Sequence, residues 1–218
     1  MKSKLILCVI VALILAAIFT PPAQAEPEYA NSLVSYWKFD EGTADTAASG
    51  ANSIIDSAAS NNDGTPGANL FYRSETPVGF GLSAEFNGSN YVVFDTNYHN
   101  FPMNNNPHTF TAWLNTEDVT HSSVFCYGTL AANQARILSI DNSHFGTYYY
   151  FNDRVYAGYN VPQNTWIHLA WTYGAGKEDI YVNGVRVAGS NVLYVNTNQA
   201  GGQYRHIGGG LNEWYDGK

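Results

Sequence analysis

The apolar residues of this chain recur in short alternating runs broken by Gly, Asn, Asp and Ser, and no segment holds helical spacing for three turns. That pattern restricts the chain to strands joined by turns. The firmest instance is Ile180-Tyr-Val-Asn-Gly-Val-Arg-Val187, where Asn183-Gly184 between two β-branched runs supplies both positive-φ positions of a type I′ hairpin. Asn87-Gly88, between Phe86 and Tyr91, marks a second turn. Strands are also expected at Leu33–Phe39, Ala84–Phe86, Tyr91–Phe94, Thr109–Leu114, Ser122–Tyr127, Ile137–Ile140, Gly146–Phe151, Trp166–Tyr173 and Tyr204–Ile207. About ten to twelve strands without a repeat are most economically arranged as an all-β, two-sheet antiparallel β-sandwich of the jelly-roll kind, one domain over 33–218.

The N-terminus reads differently. Lys2 and Lys4 precede an unbroken apolar run from Leu5 to Phe19, then Pro21-Pro22 and the small-x-small triplet Ala23-Gln24-Ala25. This is the layout of a secretory signal peptide, 1–25, followed by a polar leader, 26–32. The expected setting is secreted, at the cell surface or periplasmic, with no membrane insertion after cleavage. The formal charge is −8, with Lys+Arg 10 against Asp+Glu 18. Such a balance leaves no basic surface to neutralise phosphates, so nucleic acid is excluded as a partner. Cleavage would remove Cys8 and leave Cys126 as the sole cysteine, so no intramolecular disulfide is available. Cys126 lies in the apolar run Ser123-Val-Phe-Cys-Tyr127 and is expected to be a buried, inert thiol.

Four motifs, in order, resemble those of the laminin-G-like modules of the concanavalin A-type lectin/glucanase fold, in the form common in large secreted bacterial proteins. They are Leu33-Val-Ser-Tyr-Trp-Lys-Phe-Asp-Glu-Gly42, Asp56-Ser-Ala-Ala-Ser-Asn-Asn-Asp-Gly-Thr65, Ala84-Glu-Phe-Asn-Gly-Ser-Asn-Tyr-Val-Val93, and Thr165-Trp-Ile-His-Leu-Ala-Trp-Thr-Tyr-Gly174 with the hairpin after it. The closing strand usual in such modules has no counterpart before Lys218, so the resemblance implies a sandwich lacking its last strand, with either a longer parent protein or a partner strand supplied from elsewhere.

Residues 43–69 read as a long surface loop with a buried insertion at Ile54-Ile55. Its stretch from Asp56 to Asp63 offers hard oxygen donors on a turn, which suits Ca²⁺. Asp56 and Asp63 would supply carboxylates, Asn61 a carbonyl oxygen, and Asp40 or Glu41 a further ligand. An Asx-turn-stabilised loop without an ion reads the same residues. The resemblance adds that such modules often carry a structural calcium.

Hydrolysis of a glycan needs two acids flanking the scissile bond. The acid pairs Asp40-Glu41, Glu117-Asp118 and Glu178-Asp179 are adjacent in sequence, which sends partners to opposite faces of a strand or into a turn. No nucleophile motif occurs either, and an enzyme is not expected. The reading is a non-catalytic extracellular binding module for carbohydrate or a surface protein. Its alternatives are a structural or adhesion domain of a larger surface protein, or an accessory domain of a secreted glycoside hydrolase. Tyr127, Tyr148, Tyr150 and Trp214 are the candidate ligand contacts, because aromatic faces stack on sugar rings.

Overall fold

The computed structural model describes residues 32–94, 100–192, 194–199, 204–210, 213–214 and 216–217. The expected signal peptide lies outside them. Sixteen strands follow one another, with no helix among the described residues: β1 (Gly64–Pro66), β2 (Phe71–Arg73), β3 (Ser83–Asn87), β4 (Val92–Phe94), β5 (His108–Leu114), β6 (His121–Gly128), β7 (Ala135–Asp141), β8 (His144–Tyr148), β9 (Arg154–Tyr156), β10 (Ile167–Gly174), β11 (Lys177–Val182), β12 (Val185–Asn191), β13 (Tyr204–Ile207), β14 (Gly209–Gly210), β15 (Glu213–Trp214) and β16 (Asp216–Gly217). A seven-stranded sheet, β1-β4-β13-β6-β7-β8-β9, and a four-stranded sheet, β12-β11-β10-β5, make the two layers of a jelly-roll sandwich. A three-stranded sheet, β16-β3-β2, and the β14-β15 pair complete it. All named strand pairs are antiparallel.

Period-two patterning is clearest on β10, which buries Ile167, Leu169, Trp171 and Tyr173 and turns His168, Ala170 and Thr172 outward. At its end the β11–β12 hairpin turns through Asn183 and Gly184 at φ 50° and 79°, both positive as the sequence requires. Facing side chains Leu138, Ile140 and Phe145 from the large sheet and Leu169, Trp171 and Ile180 from the small one share a single core. A second aromatic cluster stacks Trp37 on Phe94 at 4.6 Å and Phe110 on Phe125 at 4.6 Å.

β6 and β7 depart from simple alternation, for both of their faces are buried. The β14 backbone supplies part of the cover: Cys126 Sγ donates to the Gly209 carbonyl at 2.9 Å. Burial pushes the Cys126 thiol up to about 12, so the sulfur is a core atom and not a nucleophile.

Between the layers sits a polar knot. Glu178, buried on β11, accepts hydrogen bonds from Trp171 Nε1 at 2.9 Å, Tyr149 OH at 2.5 Å, Thr147 Oγ1 at 2.8 Å and the Tyr156 hydroxyl. A carboxylate taken out of water is tolerable only with such complete partnering. Its neighbour Asp179 points the other way and pairs with Arg186, so this acid pair is split across the strand as alternation demands.

Two expected strands differ. Leu33–Phe39 forms only a single bridge, Trp37 to Asp56. The Asp56 carboxylate claims the Tyr36 N–H at 2.8 Å, and Phe39 leaves the extended region at φ 60°. Trp37 and Phe39 nevertheless pack on the core, as their spacing suggests. The run Gly146–Phe151 ends at Tyr148, because Tyr150 and Phe151 turn to φ 63° and 80°.

Candidate binding site

A cleft of about 370 Å³ opens where three separate stretches of chain meet. It is lined by Asn133 from the β6–β7 loop, Phe151 and Asn152 from the β8–β9 loop, Arg154 at the start of β9, Asn191 at the end of β12 and Tyr194 beyond it.

Buried anchors hold the exposed rings in place. Tyr194 is 83% exposed, while Val192 and Val195 on either side are buried and the Val192 N–H donates to Gly176 O at 2.8 Å. Phe151 is 80% exposed, two residues after the wholly buried Tyr149, whose N–H donates to Asp153 Oδ1 at 2.9 Å. The two loops are tied together: the Asn133 N–H donates to Tyr150 O at 2.8 Å and Asn133 O accepts from Asn196 N at 2.8 Å.

Three bulky lining or adjoining residues sit at positive φ, Tyr150 at 63°, Phe151 at 80° and Tyr194 at 70°. Asn tolerates that region, as Asn133 does at 63°, but an aromatic side chain there is strained. Each such residue costs about 1–3 kcal/mol, and strain of this kind gathers at sites that bind.

The lining holds two aromatic faces, three side-chain amides and one guanidinium, and no carboxylate, hydroxyl nucleophile, thiol or imidazole beyond the Tyr194 phenol. It can stack, hydrogen-bond and pair with an anion. It offers no acid pair for bond cleavage.

The sequence candidates fall elsewhere or only nearby. Tyr127 is not on the surface: it is buried in the aromatic cluster, donating to Pro102 O at 3.0 Å. Tyr148 spends its hydroxyl on Asp141 Oδ2 at 2.6 Å, which Ser139 also donates to, while His121 Nδ1 meets Asp141 Oδ1. Tyr150 packs beside Cys126, Ala135 and Ile137 and meets Phe151 edge-on at 4.9 Å, so it buttresses the cleft. Trp214 lies on β15, its side chain outside the described part. Sequence reading passed over Phe151 and Tyr194. The signal available was the run Tyr148-Tyr-Tyr-Phe151, four successive aromatics that no single strand can bury.

The loop around Asp56 is closed by its own hydrogen bonds. Asp56 is buried and accepts from the N–H groups of Tyr36, Ala58 and Asn62 at 2.8, 2.9 and 2.9 Å. Its own N–H donates to Asp63 Oδ1 at 2.8 Å, and Asn61 turns the loop at φ 52°. Asp40 lies against Gly81, while Glu41 accepts from the Ile55 N–H at 3.1 Å. Among the described residues no three His, Cys, Asp or Glu side chains gather as a metal site. The Asp56 oxygens face N–H donors, as in a folded Asx-type loop.

No curated protein matches the chain. Among solved structures, domain 4 of a GH43 extracellular arabinanase from Geobacillus stearothermophilus, in complex with arabinotriose, is 19% identical with a TM-score of 0.55, over 75% of this chain and 82% of that one. A structure of botulinum neurotoxin type C, described by its dependence on two ganglioside molecules for cell entry, is 11% identical with a TM-score of 0.51, over 84% of this chain and 43% of that one. A putative carbohydrate binding protein from Bacteroides ovatus is 21% identical with a TM-score of 0.48, over 66% of this chain and 46% of that one. The first two likenesses show the fold. The family model described as the concanavalin A-like lectin/glucanases superfamily matches residues 86–218, and the chain belongs to that superfamily.

Proposed function

We propose that this chain is a non-catalytic carbohydrate-binding module of an exported protein, and that the Phe151–Tyr194 cleft holds the glycan. The observation that carries the reading is the presentation of two large aromatic side chains, 80% and 83% exposed, in strained backbone beside three asparagines. Exposed rings held by buried anchors lose little entropy on binding and stack on the C–H faces of sugars, while amides serve both hydroxyl donors and acceptors. Two solved domains of similar fold add support, one bound to arabinotriose and one described with gangliosides. The arabinanase domain also favours an accessory role in a glycoside hydrolase over a purely structural one. Export is supported by the apolar run Leu5–Phe19 behind Lys2 and Lys4.

The test is affinity electrophoresis of the full chain against a panel of soluble polysaccharides, repeated with Phe151→Ala and Tyr194→Ala. Retardation by at least one glycan, lost in both variants, is the expected result. Binding that survives both substitutions would place the glycan elsewhere.

A further inference from the structure

The cleft carries a charge that a neutral sugar does not require. Three other arginines of this acidic chain have counter-ions or rings, whereas Arg205 on β13 leaves its Nη1 buried without a partner. Arg73 is held by Asp45 at 2.6 Å and Glu85 at 2.5 Å, and Arg186 by Asp179 at 2.6 Å. Arg136 is wholly buried with its guanidinium over the Tyr173 ring at 4.3 Å. Arg154 differs. Its Nη1 donates to the carbonyl of the preceding Asp153 at 2.8 Å, and it forms no ion pair among the described residues.

Two acids in its neighbourhood, Asp153 and Glu178, accept hydrogen bonds from other groups. Asp153 uses Oδ1 to accept the Tyr149 N–H at 2.9 Å, a bond that shapes the β8–β9 loop. Glu178, close enough to act on Tyr156 together with Arg154, is enclosed by four donors from Trp171, Tyr149, Tyr156 and Thr147. All other side chains lining the cleft are uncharged. The lining therefore presents one positive side chain and no acidic one, on a chain whose formal charge is −8. Its backbone is fixed, because Arg154 pairs with Thr147 on the edge of the seven-stranded sheet. A planar guanidinium with N–H groups to spare is the donor that matches a carboxylate through two parallel bonds.

Resting on the glycan-binding reading, we propose that the cleft selects sugars bearing a carboxylate, with the ring against Phe151 or Tyr194 and the carboxylate on Arg154. A uronic acid and a sialic acid share this chemistry, and the experiment treats them as separate arms.

The experiment is calorimetric titration of the full chain with a galacturonate trisaccharide, with sialyllactose, and with the neutral counterpart of each, galactotriose and lactose. The expected result is at least tenfold tighter binding (about 1.4 kcal/mol) of one acidic sugar over its counterpart. That ratio collapses toward one in Arg154→Gln, is partly kept in Arg154→Lys, and shrinks as NaCl rises, since screening weakens an exposed pair. Circular dichroism confirms that the variants remain folded. Equal affinity for acidic and neutral sugars in both arms, with loss of both in Phe151→Ala, overturns this inference and leaves the glycan reading standing. A ratio unchanged in Arg154→Gln also overturns it. Failure of every sugar to bind overturns both.

Discussion

The backbone N–H of Asn133 donates to the carbonyl of Tyr150 at 2.8 Å, joining the β6–β7 loop to the strained pair Tyr150–Phe151. That bond explains how an aromatic residue can be kept at positive φ with its ring in solvent. The strain is offset by contacts made outside the loop, chiefly the burial of Tyr149 and its hydrogen bond to Glu178.

Phe151→Gly separates strain from binding. Glycine accepts φ 80° without steric cost, so relief of the strain offsets its extra backbone entropy. A net gain of about 1 kcal/mol corresponds to a melting temperature roughly 2–4 °C higher for a chain of this size. Glycan affinity falls at least tenfold in the same variant, as expected for a central aromatic contact. Scanning calorimetry and titration read the two effects independently.

Removing the Glu178 carboxylate tests the knot between the sheets. Glu178→Ala strands four donors in the interior, and loss of one partner from a buried charged network costs about 3–5 kcal/mol. Thermal denaturation should show a fall of roughly 10 °C. A loss within about 1 kcal/mol, the range of an exposed pair, would contradict the burial described.

Alkali attacks the same knot. Burial, and then the Glu178 charge, raise the Tyr149 and Tyr156 phenols above the ordinary value of 10.0. An acid whose folded pKa is raised stabilises the fold fully below its unfolded value and loses that contribution as pH climbs through the folded one. Stability should therefore be flat up to about pH 10 and decline above it. Tyrosinate absorbance is expected to appear in step with loss of the β-sheet signal for these two residues.

Acid works through histidine. Burial and the nearby Arg136 charge lower His108 to about 3, and burial then Arg205 lower His206 to about 4. Each ring is neutral in the fold, so its contribution is complete above the unfolded value of 6.5 and is lost as pH falls toward the folded one. The melting temperature should drop steadily below about pH 6.5, and less steeply in His108→Phe. Proton NMR of the imidazoles gives the individual titrations.

Asp56→Ala removes the acceptor shared by Tyr36, Ala58 and Asn62 and should cost about 2–4 kcal/mol, seen in calcium-free buffer with EDTA. Were Ca²⁺ held by Asp56 and Asp63, it would raise the wild-type melting temperature by mass action, and Asp63→Ala would abolish the rise. Equal melting in calcium and EDTA assigns the loop to hydrogen bonds alone.

The sequence by itself determined the all-β sandwich, the Asn183-Gly184 hairpin, the inert Cys126 and the opposed directions of Glu178 and Asp179. Each follows from alternation or turn chemistry, which act over a few residues and so are written locally. Tertiary structure decided the cleft. Asn133, the stretch from Phe151 to Arg154, and Tyr194 are separated along the chain, and no local period brings them together. Nor does alternation reveal that β14 lies over β6, which leaves that strand no free face, or that the packing of Tyr127 against Phe101 and Phe125 makes it a core residue. The backbone turn that exposes Phe151 runs against local preference, and only contacts between distant segments hold it there.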